Sequence, residues 1–245
     1  MLIAQVSDIH ASPDNDNLHR FYRVLTWLSH LRPDVLVLTG DLTDGHWLEG
    51  YLQIASWLKQ QPYPTLLLPG NSDDRRQMKA VWGERQWADD APDGMLNFTH
   101  HGAGLRLVGL DSTIDNEDYG SVSGNLGWLE TQLCDAADIP SLIFLHHPVF
   151  ASGIPSLDKT MCNGLNELTE RINRMPGGIM AIASGHVHRP VAGLFAGIPA
   201  YICGSVCPAN PVWFGTDAVP PVYDPPALMV HRFADNKLTS HHVSV

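Results

Sequence analysis

Short apolar segments alternate with helical patterns along most of this 245-residue chain, and this alternation constrains its fold more than any other feature. The segments are rich in Val, Leu and Ile and bounded by turn residues, which is typical of buried parallel strands. Strands that alternate with helices predict an α/β fold with right-handed crossovers. The predicted strands cover residues 2–6, 35–39, 65–68, 105–110, 142–145 and 179–183, and the predicted helices 18–28, 48–58, 128–133 and 165–172.

The pattern changes after residue 183. Four further strands are predicted at 191–195, 200–203, 228–233 and 238–243 with no helix between them, which suggests a second sheet built from the C-terminal end. Residues 204–226 contain six Pro together with Trp213, Phe214 and Tyr223, and this Pro density excludes a regular helix. We predict a long loop there, either a lid or binding loop whose aromatic residues line a pocket or an oligomer contact, or an ordered surface crossing. No repeat or linker divides the chain, so we expect one domain over residues 1–245.

Composition excludes several classes of partner. The chain has 26 acidic and 15 basic residues, and its net charge of −11 would repel DNA, RNA or an anionic membrane surface. No apolar stretch is long enough to span a membrane and no export signal is visible, so we expect a cytoplasmic protein. The four Cys are expected to be reduced and mostly buried. Thirteen His are also present, and histidine is the commonest metal ligand in proteins.

Side chains of metal-ligand type follow five of the predicted strands. Each motif alone is ordinary turn chemistry, but the carboxyl ends of strands in an open α/β sheet are where binding sites form. Asp8 and His10 are two residues apart, so an extended chain presents both on one face. The motifs are Asp8-Ile9-His10, Gly40-Asp41, Gly70-Asn71, His146-His147-Pro148 and Gly185-His186-Val187-His188.

This ordered series resembles the calcineurin-like metallophosphoesterase superfamily. The stretch at residues 71–75, the strand end at 109–112 and the Gly-rich turn before Trp128 are similar to class III cyclic nucleotide phosphodiesterases and related glycerophosphodiesterases. The resemblance covers residues 1 to about 205. It implies a four-layer α/β/β/α sandwich with two mixed β-sheets, which agrees with the second sheet suggested by the C-terminal strands.

The resemblance also implies a binuclear centre with two divalent metal ions. Asp41 is expected to be the bridging carboxylate, because a negative charge between two dications offsets part of their repulsion. Two dications combined with two aspartates and a bridging hydroxide leave about one positive charge, which suits a singly charged phosphodiester. Nitrogen and oxygen ligands favour Mn, Fe, Zn or Co without choosing among them. The implied ligands are Asp8, His10, Asp41 and His188 for one ion and Asp41, Asn71, His146 and His186 for the other.

Further residues are expected close to the metal ions. His147 is predicted to face the substrate or to hydrogen-bond a ligand, with simple packing as the alternative. Asp44, Asp73 and Asp111 either orient the ligating imidazoles or are solvated turn acids. The residues expected to touch the substrate are His10, Asn71, Ser72, His147 and His188.

Ser72 departs from the family pattern, which commonly has His at this position. The family's His lies over the substrate phosphate, where it stabilises the transition state or protonates the leaving oxygen, and a hydroxyl is a poor acid. Three outcomes are open: His147 or His46 replaces it, Ser72 hydrogen-bonds the phosphate, or activity is restricted to good leaving groups. We favour the second, with activity retained, because all seven ligand positions are intact.

The sequence therefore predicts a binuclear metal-dependent phosphodiesterase in which a metal-bridging hydroxide attacks small diesters, such as 3′,5′-cyclic nucleotides or glycerophosphodiesters. The alternatives are a non-catalytic metal-binding scaffold on the same fold and a phosphomonoesterase or nuclease of the same superfamily. A homo-oligomer is a weaker expectation from the family and from the aromatic residues at 204–226.

Overall fold

The computed structural model describes residues 1–92, 94–135, 138–174 and 178–245. In chain order the strands are β1 Leu2–Val6, β2 Val35–Thr39, β3 Thr65–Leu68, β4 Phe98–Gly102, β5 Leu105–Leu110, β6 Gly120–Ser121, β7 Ser141–Leu145, β8 Cys162–Asn163, β9 Ile179–Ser184, β10 Val191–Phe195, β11 Ile198–Ile202, β12 Ala227–Ala234 and β13 Lys237–Ser244. The α-helices are α1 Asn17–Leu31, α2 Leu48–Lys59, α3 Arg75–Trp82, α4 Leu126–Cys134 and α5 Leu165–Arg174.

Two large sheets organise these elements. The first has the order β13-β12-β1-β2-β3, in which β1, β2 and β3 run parallel while β12 lies antiparallel to both β1 and β13. The second has the order β10-β11-β9-β7-β5-β4, with a parallel centre and antiparallel pairs at both edges. Both sheets are therefore mixed, as predicted.

Three apolar layers hold the sheets and helices together, and strand alternation explains them. In β1, Ala4 and Val6 pack toward α1, α2 and α3, whereas Ile3 points to the opposite face, where it packs against the second sheet. The outer face of the second sheet packs on α4 and α5, for example through Ile143 and Leu129. Successive layers are thus helices, sheet, sheet and helices, which confirms the predicted four-layer sandwich.

The expectation that the second sheet is built from the C-terminal end is wrong. The predicted strands before residue 183 divide between the two sheets, and the C-terminal strands complete both: β10 and β11 extend the second sheet beside β9, and β12 and β13 extend the first beside β1. A strand buried on both faces reads as the same apolar run whichever sheet contains it. The pattern therefore identifies the strands without identifying their partners.

Helix α3 and the short strands β4, β6 and β8 were not predicted. Helix α3 is mostly polar, with Met78 as its one buried residue, so it shows little apolar periodicity. It begins after Asp74, whose side chain accepts hydrogen bonds from the backbone N–H groups of Arg76 and Gln77. The signal for this helix is therefore its N-cap rather than its hydrophobic pattern.

The loop predicted at residues 204–226 contains neither helix nor strand and connects β11 to β12. All four Cys are free, and of these only Cys134 is exposed. Within the described residues, no helix combines the length and the apolar character needed to cross a membrane.

Candidate metal centre

The parallel strands of both sheets place their carboxyl ends at one location. Strands β1, β2 and β3 lead into Asp8 and His10, Asp41, and Asn71, while β7 and β9 lead into His146 and the pair His186 and His188. The structure brings all seven of these sequence-predicted residues together, although they are spread over 180 positions of the chain.

The backbone turns sharply at these strand ends. Five of the seven residues have left-handed φ angles: Asp8 at 57°, His10 at 49°, Asp41 at 53°, His186 at 71° and His188 at 54°. This conformation costs non-glycine residues about 1 to 3 kcal/mol each, and it persists only where the surroundings enforce it. Such a concentration of strained residues is typical of a functional site.

Two glycines leave room for the carboxylates of the site. A Cβ atom on Gly70 would overlap the carboxylate of Asp41, and one on Gly185 would overlap Ser7 and crowd Asp8. The glycines of the Gly-Asn and Gly-His motifs are therefore needed for close packing.

Four donor atoms converge to form a first cluster. His10 Nε2 lies 3.1 Å from Asp41 Oδ2 and 3.0 Å from His188 Nε2. His188 Nε2 in turn lies 3.4 Å from Asp8 Oδ1. Asp8 and Asp41 are buried, whereas the two imidazoles are partly exposed.

A second cluster shares Asp41 with the first. His146 Nε2 lies 3.3 Å from Asp41 Oδ2, 3.1 Å from Asn71 Oδ1 and 3.2 Å from His186 Nδ1. Asp41 Oδ2 thus faces imidazoles of both clusters, which is the position of a bridging atom.

The other ring nitrogen of each imidazole is also engaged. Four groups outside the clusters contact these nitrogens and fix the rings: the side chains of Asp44, Thr160 and Cys207 and the backbone carbonyl of Thr39. Thr160 and Cys207 were not predicted, because Thr160 ends a short 3-10 helix and Cys207 lies in the loop at residues 204–226, so neither belongs to the five strand-end motifs. The four contacts are His10 Nδ1 to Asp44 Oδ1 at 2.6 Å, His146 Nδ1 to Thr39 O at 2.7 Å, His186 Nε2 to Thr160 Oγ1 at 2.7 Å, and His188 Nδ1 to Cys207 Sγ at 3.3 Å.

These contacts determine where the imidazole protons lie. A carboxylate and a carbonyl only accept hydrogen bonds, so Nδ1 of His10 and of His146 carries a proton, and in the neutral, metal-binding form of each ring Nε2 presents a lone pair to its cluster. Lone pairs and carboxylate oxygens separated by 3.0 to 3.4 Å repel one another unless a cation lies between them. Two ligands about 2.1 Å from a tetrahedral ion are about 3.4 Å apart, so the spacing fits metal ions.

The electrostatics of the site also favour cations. Burial by itself would lower the pKa of His10, but contacts with Asp41 and Asp44 outweigh this and raise it to about 12. Burial would also lower the pKa of His146, but the negative charge of Asp41 outweighs this effect and raises the pKa to about 9. Burial would raise the pKa of Asp41, yet the facing imidazoles hold it well below its usual value. The site therefore attracts positive charge strongly, and metal ions would compete with protons for the same atoms.

Two polar atoms beside the clusters have no hydrogen-bond partner within the described part of the chain. They are Ser72 Oγ and His147 Nε2, and both are buried. The backbone N–H of Ser72 donates to Asp41 Oδ1 at 2.8 Å, and His147 Nδ1 lies 2.9 Å from Ser112 Oγ. His46 is exposed, and its Nδ1 lies 3.9 Å from Asp74 Oδ2. Ser72, His147 and His46 were the three candidates to replace the family's His. Ser72 and His147 each offer a buried polar atom without a partner among the described residues, whereas His46 is exposed.

The three additional aspartates have different contacts. Asp44 contacts His10, as expected for a carboxylate that orients an imidazole. Asp73 instead accepts from the backbone of Leu42 and Gly70 and from the Tyr51 hydroxyl, which ties two site loops together. The remaining carboxylate, that of Asp111, binds the Arg75 guanidinium and the Thr113 hydroxyl. Asp73 and Asp111 were expected either to orient ligating imidazoles or to be solvated turn acids. Their contacts show instead that both carboxylates fix the loops around the site.

A four-layer sandwich with histidines and aspartates at its converging strand ends defines a class of metal-dependent phosphoesterases. Residues 1–190 match the family described as calcineurin-like phosphoesterase, and the chain belongs to this family. A dimetal phosphatase from Danio rerio has a similar fold, with a TM-score of 0.76 at 12% identity over 100% of this chain and 96% of that one.

Two curated relatives are similar in sequence. A glycerophosphodiester phosphodiesterase of Enterobacter lignolyticus is 30% identical, and the alignment covers 100% of this chain and 91% of that protein. A 3′,5′-cyclic-nucleotide phosphodiesterase of Nostoc sp. is 30% identical over 76% of this chain and 71% of that protein.

Proposed function

We propose that this protein is a phosphodiesterase that holds two divalent metal ions around Asp41 and hydrolyses small phosphodiesters. The observation that carries the proposal is the convergence of two sets of donor atoms on Asp41 Oδ2. Asp8, His10 and His188 complete one set. The other consists of Asn71, His146 and His186 with the same aspartate.

When bound, the two ions supply positive charge that polarises the phosphate and activates water as the nucleophile. The residues of the chain determine how much of this charge remains. Only Asp8 and Asp41 contribute negative charge directly, because Asn71 and the imidazoles are neutral as ligands. The remaining positive charge holds an anionic diester, which a centre built mainly from carboxylates would do less well.

Ser72 and His147 complete the proposed substrate site. Ser72 Oγ is a buried hydroxyl without a partner, and a hydroxyl can donate a hydrogen bond to a non-bridging phosphate oxygen. His147 Nε2 is likewise free, and Ser112 Oγ holds the opposite side of its ring. We propose that both stabilise the bound phosphate and that neither is needed for metal binding.

The relatives and the charge of the chain support the substrate class. Proteins described as acting on glycerophosphodiesters and on 3′,5′-cyclic nucleotides align over most of this chain, and both substrates are small diesters. The net charge of −11 disfavours polynucleotides. Four expectations stay predictions: a single domain over residues 1–245, a cytoplasmic location, a homo-oligomer, and a choice among Mn, Fe, Zn and Co as the metal.

Hydrolysis by metal-stripped protein that is reloaded with Mn, Fe, Zn or Co tests the proposal. Bis(p-nitrophenyl) phosphate serves as the activated diester and 3′,5′-cyclic AMP as one with a poor leaving group. We expect at least one metal to restore hydrolysis, and Asn71→Ala to lower kcat at least about 100-fold because it removes a ligand. Asn173→Ala, on the exposed face of α5, is the matched control and should be unaffected.

Two outcomes would change this conclusion. Failure to hydrolyse either diester with any metal would favour the non-catalytic scaffold. Hydrolysis of the activated diester alone would mean that a leaving-group acid is missing, and that Ser72 restricts the protein to good leaving groups.

A further inference from the structure

A cleft of about 540 Å³ lies beside the metal centre and shares Asn71 with it. Three loops form most of its walls: the loop after β2 contributes His46, the loop after β3 contributes residues 70, 71, 73 and 74, and the loop after β5 contributes residues 113–116. Residues 75 and 76 of α3 and residue 94 complete the lining. Because Asn71 belongs to both, a group attached to a phosphate at the metal centre can extend into this cleft.

The side chain of Arg75 fixes the shape of the cleft. Its guanidinium donates to Asp111 Oδ2 at 2.7 Å, to Asp115 Oδ1 at 2.6 Å and to the carbonyl of Thr113 at 2.6 Å. These bonds tie the wall formed by residues 113–116 to the start of α3. The cleft is therefore formed before any ligand binds, and a ligand does not have to order it.

The chemistry of the walls is polar and hydrogen-bonding. Carboxylates, an imidazole and an amide come from Asp74, Asp115, His46 and Asn116, and the exposed Arg76 adds a guanidinium that can donate to a hydroxyl. Asp74 Oδ1 is used by the N-terminus of α3, whereas Asp74 Oδ2 lies 3.9 Å from His46 Nδ1. Vicinal hydroxyls match such walls because each can donate to a carboxylate and accept from an imidazole or amide.

A nucleobase matches the same walls poorly. Base recognition commonly relies on stacking on an aromatic side chain, worth about 1 to 3 kcal/mol per base. None of the described residues that line the cleft is Phe, Tyr or Trp. Of the two arginines that line the cleft, Arg75 is already bound to Asp111, Asp115 and Thr113, and Arg76 is exposed, so neither offers a base a preformed stacking surface.

We propose that this cleft is a subsite for the polyol half of the substrate, so that the protein prefers glycerophosphodiesters to cyclic nucleotides. This inference rests on the proposed function, since it assigns one of the two alcohol groups of the diester to the cleft. His46 and Asn116 are the specificity-determining residues that contact the glycerol hydroxyls.

Backbone geometry supplies clean variants for the test. His46 and Asn116 have φ angles of 54° and 64°, a region that glycine adopts without strain. His46→Gly and Asn116→Gly therefore remove the side chains while keeping the loops. Asn236→Gly, at a φ of 55° in the turn between β12 and β13, is the matched control away from the cleft.

Each protein, loaded with the metal that best supports hydrolysis, is assayed on sn-glycero-3-phosphoethanolamine, 3′,5′-cyclic AMP and bis(p-nitrophenyl) phosphate. The unsubstituted protein should cleave the glycerophosphodiester with a kcat/KM at least about tenfold above that for cyclic AMP. His46→Gly and Asn116→Gly should each lower kcat/KM for the glycerophosphodiester about 3- to 10-fold, mainly through KM, as expected for one lost hydrogen bond. Both variants should keep their activity on bis(p-nitrophenyl) phosphate, and Asn236→Gly should match the unsubstituted protein on all three.

A preference for cyclic AMP would overturn the subsite, as would variants that lower all three activities equally or none of them. In each of those cases hydrolysis of bis(p-nitrophenyl) phosphate would still support the phosphodiesterase itself. Failure to cleave any of the three diesters with any metal would instead overturn the proposed function and the subsite together.

Discussion

Individual residues around the metal centre differ in how firmly they hold its imidazoles. Asp44, the Thr39 carbonyl and Thr160 approach their rings at 2.6 to 2.7 Å, whereas Cys207 Sγ lies 3.3 Å from His188. Burial raises the pKa of the Cys207 thiol to about 12, so it stays protonated. Its S–H faces the carbonyl of Pro208, and its sulfur accepts from His188 Nδ1.

Cys207→Ala should weaken metal binding without removing a ligand. The change leaves the His188 Nδ1–H group without its acceptor, and the loss of such an outer contact typically lowers metal affinity about 10- to 100-fold. Cys207→Ser should recover most of the affinity. Calorimetric titration of the stripped protein with Mn or Zn measures the effect, with the exposed Cys134→Ala as control. Equal affinities for all four proteins would contradict this positioning role.

The sequence predicted the seven candidate ligands and one of their outer partners, Asp44, but not Thr160 or Cys207, and the physical reason is clear. Asp8, Asp41 and His146 follow strands, whose direction and period-2 geometry can be inferred from the chain. Thr160, at the end of a short 3-10 helix, and Cys207, in a long loop, lie in connections whose paths depend on tertiary contacts rather than on local pattern.

Among the elements, helix α3 and the loop after β5 form one unit through Arg75. Asp111 is fully buried, and Arg75 is the cation that compensates its charge. The sequence marked Arg75 only as part of a motif, because the contact joins two segments 36 residues apart.

Arg75→Met should destabilise the fold by about 3 kcal/mol, since it leaves the Asp111 carboxylate buried without a counter-charge. Urea unfolding of the metal-free protein measures this change in the free energy of unfolding. Arg174→Met on α5 is the control, because it breaks only an exposed ion pair with Glu170 and should cost less than about 1 kcal/mol. Similar losses for both variants would show that Arg75 contributes no more than an ordinary surface pair.

Across the whole molecule, a polar network joins the two sheets beneath the metal centre. Gln5 Nε2 donates to Thr39 Oγ1 at 3.1 Å and to the carbonyl of Ser184 at 3.0 Å. His231 Nε2 lies 3.2 Å from Gln5 Oε1, and its Nδ1 lies 2.8 Å from Ser240 Oγ. Hydrophobic patterning predicted the strands and the family resemblance implied the layers, but neither predicted this network, because a buried Gln or His looks polar in sequence.

This network should make the stability of the fold depend on pH. Burial, together with the nearby His241, lowers the pKa of His231 to about 3, so the folded protein keeps the ring neutral. In the unfolded chain His231 binds a proton below about pH 6.5, so the contribution of its neutral ring to the stability of the fold is complete above that pH. It is lost as the pH falls toward 3, at up to about 1.4 kcal/mol per pH unit.

His231→Gln should show a shallower loss of stability between pH 6.5 and 4 than the unsubstituted protein. Thermal unfolding across this range measures the slope, with the exposed His19→Gln as control. Equal slopes for His231→Gln and the unsubstituted protein would assign the acid sensitivity to other groups. A second variant, His231→Asn, covers the case in which the longer amide disturbs packing.

The place of β1 in its sheet has a consequence for how the protein is made. Strand β1, which leads into Asp8 and His10, is flanked by β2 and by β12, and β12 begins at residue 227. A ribosome therefore delivers the first segment of the metal centre long before it delivers the strand that covers its open edge. Until then this edge remains available for pairing with other chains, so a nascent chain that stalls before β12 is exposed to aggregation.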